Sequence, residues 1–171
     1  MVDCPGTDQI ILRTVTETDM DFLFRLYAGT RSEEMAATDW SEAEKESFLR
    51  MQFRLQHHHY TTYYPNAEFE IIEMNGEAAG RLYVDRTNAE IRIIDISLMP
   101  AFRNRGIGKD LISNLLREGA QKRLPVSLHV EYNNPARVLY ERLGFSIKSE
   151  TGVYYFMEWT PESSGIESNI F

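Results

Sequence analysis

The stretch from residue 67 to 99 limits most what this chain can become. "AEFEIIEM", "EAAGRLYVDR" and "AEIRIIDISLM" read as three consecutive strands, rich in β-branched and aromatic residues and separated by polar breaks. Asn75-Gly76 between the first two is a hairpin signal, because both central residues of a tight two-residue turn take positive φ. The third segment is apolar on both parities. A strand with one wet face alternates, so this one is expected to lie centrally in its sheet and to be covered on both sides.

The flanking segments supply the covering layers. "QIILRTV" reads as a first strand, and "TETDMDFLFRLYAGTR" as a helix with Thr16 as N-cap and Met20, Leu23, Phe24 and Tyr27 at helical spacing. "DWSEAEKESFLRMQFRLQHHHY" reads as a longer helix, opened by a capping box at Ser41, with Phe48, Met51, Phe53 and Leu55 as its apolar contacts. Pro100 ends the third strand of the central trio. Beyond it, Ile107, Leu111 and Leu115, with Ile112 and Leu116 one ridge over, predict a helix from about Gly106 to Lys122. A strand "VSLHVEY", a short helix "NPARVLYERLG" and two strands "FSIKSE" and "VYYFMEW" complete the pattern. Sheet and helices interleave, which is a mixed α/β fold. The expected organisation is a flexible start over residues 1–9, one domain over 10–160 and a loose polar tail over 161–171.

Charge narrows the function classes. The 18 Lys and Arg residues against 26 Asp and Glu give a formal net charge of −8, which argues against general nucleic-acid or anionic-membrane binding. No basic and apolar leader opens the chain and no apolar run is long enough to span a bilayer. The single Cys4 cannot form an internal disulfide, so the expected setting is the reducing cytoplasm.

Against that acidic background, "FRNRGIGKDL" crowds Arg103, Arg105 and Lys109 into the mouth of a helix. The free N–H groups of a first helical turn point outward and the macrodipole favours negative charge there. Gly106 and Gly108 remove the Cβ atoms that would hold an anion away. The cluster therefore points to a phosphate-bearing ligand, with a helix-entry turn whose arginines merely keep the surface soluble as its alternative. A P-loop is ruled out, since Asp110 follows Lys109 and no glycine stands at 103. A dinucleotide fingerprint fails because position 111 is Leu.

A second motif, "NNPARVLYERLGF", follows one helix and one strand later. Together the two resemble the GNAT superfamily of acyl-CoA N-acyltransferases. Arg103, Gly106 and Gly108 match its Q/R-x-x-G-x-G/A signature. Asn133, Ala136, Leu139, Tyr140, Gly144 and Phe145 match its N-x-x-A-x-x-L/F-Y-x-x-x-G-F run. The resemblance covers about residues 10–159. It implies a largely antiparallel sheet of six to seven strands flanked by about four helices. It also implies acetyl-CoA as cosubstrate, an amine as acceptor, and direct attack in a ternary complex without a covalent enzyme intermediate.

Carried over by position, the resemblance places the pantetheine arm against the bulged backbone of Ile96, Ser97 and Leu98. It places the pyrophosphate on the amides of Asn104, Arg105, Gly106, Ile107, Gly108 and Lys109, beside Arg103, and gives Asn133 a cofactor contact. Tyr140 matches the tyrosine that protonates the departing sulfur. A phenol suits that task, because it stays protonated at neutral pH. Packing in a short helix is its ordinary alternative, as capping is for Asn133.

The base is not given by the resemblance. Asp95 sits in an apolar strand, where desolvation is expected to raise its pKa toward a base's working range, unless it pairs with Arg81 or Arg92. His129 and Glu131 stand on the strand leading to Asn133 and are read as facing opposite sides, so that only one looks toward the cleft. Glu33, in the loop after the first helix, and Trp40, Tyr60 and Glu131 are candidates for the acceptor pocket. The run His57–His59 is not expected to bind metal, since neighbours on a helix point in different directions. Rival readings are a sensor that binds CoA thioesters without turnover, and an acyltransferase with another donor or an oxygen acceptor. A homodimer is left open.

Overall fold

The computed structural model describes residues 8–162. Cys4 and most of the expected flexible start and loose tail lie outside the described residues. The strands are β1 (Ile10–Thr14), β2 (Glu68–Met74), β3 (Glu77–Arg86), β4 (Ile91–Leu98), β5 (Val126–Glu131), β6 (Ser146–Thr151) and β7 (Tyr154–Trp159). The helices are α1 (Met20–Thr30), α2 (Ser32–Ala36), α3 (Glu42–Tyr63), α4 (Ile107–Lys122) and α5 (Ala136–Arg142). The seven strands form one sheet in the order β1-β2-β3-β4-β5-β7-β6, with helices around it. The mixed α/β expectation holds, and β4, the segment apolar on both parities, is the middle strand. Its coverage is uneven: Ile91 and Ile93 are buried, whereas Ile94 to Leu98 stay half-covered.

Two compact units make up the chain. One runs through Asp85 and takes in Ile93–Gly108; the other takes Arg86–Arg92 and the residues from Lys109 onward.

In the first unit, β1 pairs antiparallel with β2, and β2 with β3. Asn75 and Gly76 turn the β2–β3 hairpin at φ 53° and 82°, as that dipeptide predicts. Leu23 and Tyr27 of α1, Leu49 and Phe53 of α3, and Ile71 of β2 form the core. Ser41 opens α3 by the expected reciprocal box: its Oγ accepts from the Glu44 N–H at 3.2 Å, and its own N–H donates to the Glu44 carboxylate at 2.8 Å. Thr16 caps a single 3₁₀ turn, Glu17–Asp19, ahead of α1. There the Asp19 carboxylate accepts from the Thr16 N–H at 2.8 Å and from both terminal nitrogens of Arg13, each at 2.8 Å.

In the second unit, β5 and β6 both pair antiparallel with β7. Leu128 lies opposite Met157, both buried. From Lys109 onward helix α4 buries Leu111, Ile112, Leu115 and Leu116, and Ile107 at its start is buried as well, the stripe its spacing predicts. It packs closely through Gly119, where a Cβ would stand 2.9 Å from the Leu124 carbonyl oxygen and 3.0 Å from Val126.

Candidate active site

The loop between β4 and α4 is shaped by two left-handed residues. After a 3₁₀ turn at Pro100–Phe102, Arg103 is extended, Asn104 takes φ 58° and Gly106 φ 83°. A Cβ at Gly106 or Gly108 would meet nothing within 4 Å, so the backbone there faces open space. The first amides of any helix have no carbonyl one turn earlier to bond, which makes a helix start of this kind suited to an anion. Arg103 is held by its Nε donating to the Leu98 carbonyl at 2.9 Å, and Arg105 by Asp8 at 3.2 Å. Both guanidinium groups remain exposed, as does Lys109. Ile107 offers only its backbone, because its side chain is core.

Immediately before the loop, β4 is pressed against β3. A Cβ at Gly80 would lie 2.1 Å from the Ser97 carbonyl oxygen and 3.0 Å from the Leu98 Cα. Only glycine lets the two backbones approach so closely, and this closeness sets the path of Ile96, Ser97 and Leu98. Gly80 was not singled out in the sequence, where a glycine inside a strand pattern is the signal that could have found it.

Asp95 lies on the same stretch of β4. Its Oδ2 accepts from Arg81 Nη2 at 2.7 Å and from the Tyr60 hydroxyl at 3.1 Å, and its Oδ1 accepts from Ser97 Oγ at 2.7 Å. Arg81 is buried and also donates to Gln56 Oε1 at 2.9 Å, while its Nε has no partner among the described residues. Of the two arginines the sequence offers, Arg81 is therefore the one Asp95 pairs with; Arg92 pairs with Glu90 at 2.9 Å. Burial is the largest single effect and lowers the Arg81 pKa, but the charge and hydrogen bond of Asp95, with the Tyr83 and Tyr60 hydroxyls, together outweigh it and leave the pKa raised, so the guanidinium stays charged. Burial raises the Tyr83 phenol against the opposing pull of Arg81. Burial lowers the His57 imidazole, and the Arg81 charge lowers it further. The network ties α3, β3 and β4 together, and Tyr60 belongs to it.

The other candidates stand as follows. Tyr140 is buried on α5, its ring 5.9 Å from that of Phe145 and edge-on to it. Asn133 is exposed. The capping role falls to its neighbour, since the Asn134 side-chain Oδ1 accepts the Ala136 N–H at 2.9 Å. Glu33 is not in a loop but in α2, a single exposed turn. Trp40 is exposed, its ring set against Phe48 at 5.2 Å. His129 and Glu131 do not face opposite sides. Two residues apart on β5, they share a face with Val130 buried between them, and they pair with Phe156 and Tyr154. The His129 imidazole lies 5.1 Å from the Phe156 ring; burial and then the Arg92 charge lower its pKa against Glu90. Glu131 accepts from the Tyr154 hydroxyl at 3.4 Å. Among the described residues no group of three acidic, His or Cys side chains is placed to hold a metal, and no helix is long and apolar enough to cross a membrane.

A sequence model described as the acetyltransferase (GNAT) family matches residues 28–145, spanning both motifs. The chain belongs to the GNAT family. Individual relatives are distant. A Bacillus subtilis (strain 168) protein, provisionally named a ribosomal protein bS18-alanine N-acetyltransferase, is 27% identical over 106 residues, covering 60% of this chain and 70% of that one. Among solved structures, the PaiA N-acetyltransferase of Thermoplasma acidophilum in complex with coenzyme A superposes with a TM-score of 0.65. It is 19% identical, over 89% of this chain and 99% of that one. The ribosomal-protein-S18-alanine N-acetyltransferase of Escherichia coli gives a TM-score of 0.58 at 19% identity, over 95% and 99%. These two share the GNAT fold with the chain described above. As a GNAT protein, the chain is an acetyltransferase.

Proposed function

We propose that this acetyltransferase moves the acetyl group of acetyl-CoA onto an amine by direct attack. The observation that carries the reading is the loop from Arg103 to Gly108, where Asn104 and Gly106 take positive φ, a Cβ at Gly106 or Gly108 would meet nothing within 4 Å, and Arg103 and Arg105 are exposed at the mouth of α4. A diphosphate fits that donor set: oxyanions accept from amides, and guanidinium groups add charge at the rim. The backbone of Ile96 to Leu98, fixed by Gly80, suits an extended arm. That the Thermoplasma acidophilum relative was solved with coenzyme A supports the same reading.

The reaction asks three things of the chain. A backbone amide stabilises the oxyanion that develops on the thioester carbonyl. The amine gives up a proton as the C–N bond forms. The C–S bond then breaks and the thiolate takes a proton, for which Tyr140 is the assigned donor. Asp95 is poorly suited to accept the amine's proton, because both its oxygens already receive hydrogen bonds; an anchoring role fits it better.

The test pairs release of free thiol from acetyl-CoA, over a panel of amines, with mass spectrometry of the product. It is accompanied by a structure of the chain soaked with CoA. Acetylated amine and a diphosphate on the amides of 104–109 are expected. Binding without turnover across the panel, or a nucleotide lodged elsewhere, would overturn the reading.

A further inference from the structure

Between α1 and α3, within the first unit, lies an open groove of about 330 Å³ that the acetyl-transfer reading does not use. Its composition is unlike the rest of this acidic chain. Helix α3 lines it with Arg50, Arg54, His57 and His58, a run spaced one turn at a time, while Asp21 of α1 is its one acidic residue. The floor is aromatic, from Phe24 of α1 and Phe53 of α3.

Two flat polar groups are already stacked on that floor. The Arg50 guanidinium carbon lies 4.2 Å from the centre of the Phe24 ring, and Glu46 at 2.9 Å occupies one edge of the fork. The His57 imidazole stacks on Phe53, 29° from parallel, at 6.3 Å. Such stacking orders side chains that are otherwise mobile, which lowers the cost of binding a planar guest. One turn on, Arg54 is exposed and has no acidic partner among the described residues, so its full donor fork is available. The volume is at the small end of the roughly 300–1,000 Å³ typical of ligand pockets, and it is too small for a folded partner.

We propose that this groove is a binding site for a small aromatic carboxylate, its ring laid over the Arg50 guanidinium and the His57 imidazole that Phe24 and Phe53 support, and its carboxylate paired with Arg54. A planar ring stacks on the flat guanidinium and imidazole already ordered there, and a carboxylate matches a guanidinium fork in both charge and geometry. An amine with the same ring would meet two arginines against the single Asp21, so the balance of charge favours the carboxylate.

The probes are benzoate, benzylamine and inorganic phosphate, titrated without acetyl-CoA into the isotope-labelled full chain and followed by NMR. This keeps the result separate from any outcome of the transferase assay. Benzoate is expected to shift the Phe24, Phe53 and His57 signals, and Arg54→Gln to weaken it by about tenfold or more, as loss of a charge-assisted pair implies. Arg54 is exposed, so the variant is expected to melt with the wild type, and benzylamine to leave the three signals in place. The proposal is overturned if benzoate leaves those signals unmoved, or if Arg54→Gln binds it as well as wild type does. It is equally overturned if benzylamine binds as tightly, or if phosphate competes as strongly as benzoate, since then the ring contributes nothing.

Discussion

Arg81 and Asp95 form a buried ion pair across β3 and β4, with the guanidinium Nη2 2.7 Å from the carboxylate and both side chains largely out of solvent. Such a pair adds little net stability over an apolar replacement, yet removing one partner strands the other charge. Arg81→Met is therefore expected to cost about 3–5 kcal/mol in urea unfolding. Asp95→Asn is expected to cost less, because the amide oxygen still accepts from Arg81. The same variant separates the two roles of Asp95 kinetically. If the group is an anchor, Asp95→Asn keeps the shape of the pH–rate profile; loss of the limb that reports the base would make it the proton acceptor instead.

Gly80 and Gly29 are expected to respond to the same substitution with opposite signs. At Gly80 an alanine Cβ would fall 2.1 Å from the Ser97 oxygen, so β4 must shift or the protein pays an overpacking penalty of about 1–3 kcal/mol. At Gly29, near the end of α1, a Cβ meets nothing within 4 Å and the helix gains from alanine by up to about 1 kcal/mol. Thermal melts of the two variants check the pair. Under the proposed function, Gly80→Ala also weakens CoA binding, because the displaced residues are Ile96 to Leu98, while Gly29→Ala leaves it unchanged.

Local chemistry that is self-contained was legible from the chain alone. The Ser41 box closes on Glu44, Asn75-Gly76 makes the hairpin, and the stripe from Ile107 to Leu116 becomes the buried face of α4. Features decided by neighbours were not. Helix α2 buries nothing, so "SEEMA" carries no periodicity to read. The choice between Arg81 and Arg92 as partner of Asp95 depends on which side chains meet across strands, and no spacing encodes it. Asn133 and Asn134 are adjacent and identical in type, and only the turn geometry assigns the cap to the second. The facing of His129 and Glu131 was a different matter. The period of two places them together, and reading them apart was an error of alternation rather than a gap in the sequence.

Asp19 makes the fold sensitive to acid. Its carboxylate is held well below the usual range, first by hydrogen bonds from Arg13, with burial opposing and the Thr16 N–H and hydroxyl adding to the effect. A group whose folded pKa is depressed contributes stability above its unfolded pKa, near about 4, and loses it as pH falls through the folded value. Wild type is thus expected to exceed Asp19→Asn by on the order of 2 kcal/mol at neutral pH. Urea midpoints measured from pH 7 down to pH 3 are expected to show a gap that holds steady to about pH 4 and narrows below it, without closing by pH 3. A gap that stays constant to pH 3 would assign the cost to lost packing at the start of α1.

Phe is the smallest change that tests Tyr140, because the two residues differ by the hydroxyl alone. The ring is buried and edge-on to Phe145, so Tyr140→Phe keeps that contact and is expected to melt within a few degrees of wild type. If the hydroxyl supplies the thiolate's proton, kcat falls by about 10²–10⁴, the usual worth of a positioned acid, while the Kd for CoA barely changes. An acyl donor that releases a more acidic thiol needs that proton less, so its rate is expected to suffer less from the substitution. A variant that loses stability and rate together, with equal losses for both donors, would reduce Tyr140 to packing. A variant with wild-type kcat at every pH would do the same, and the proton would then have to come from water.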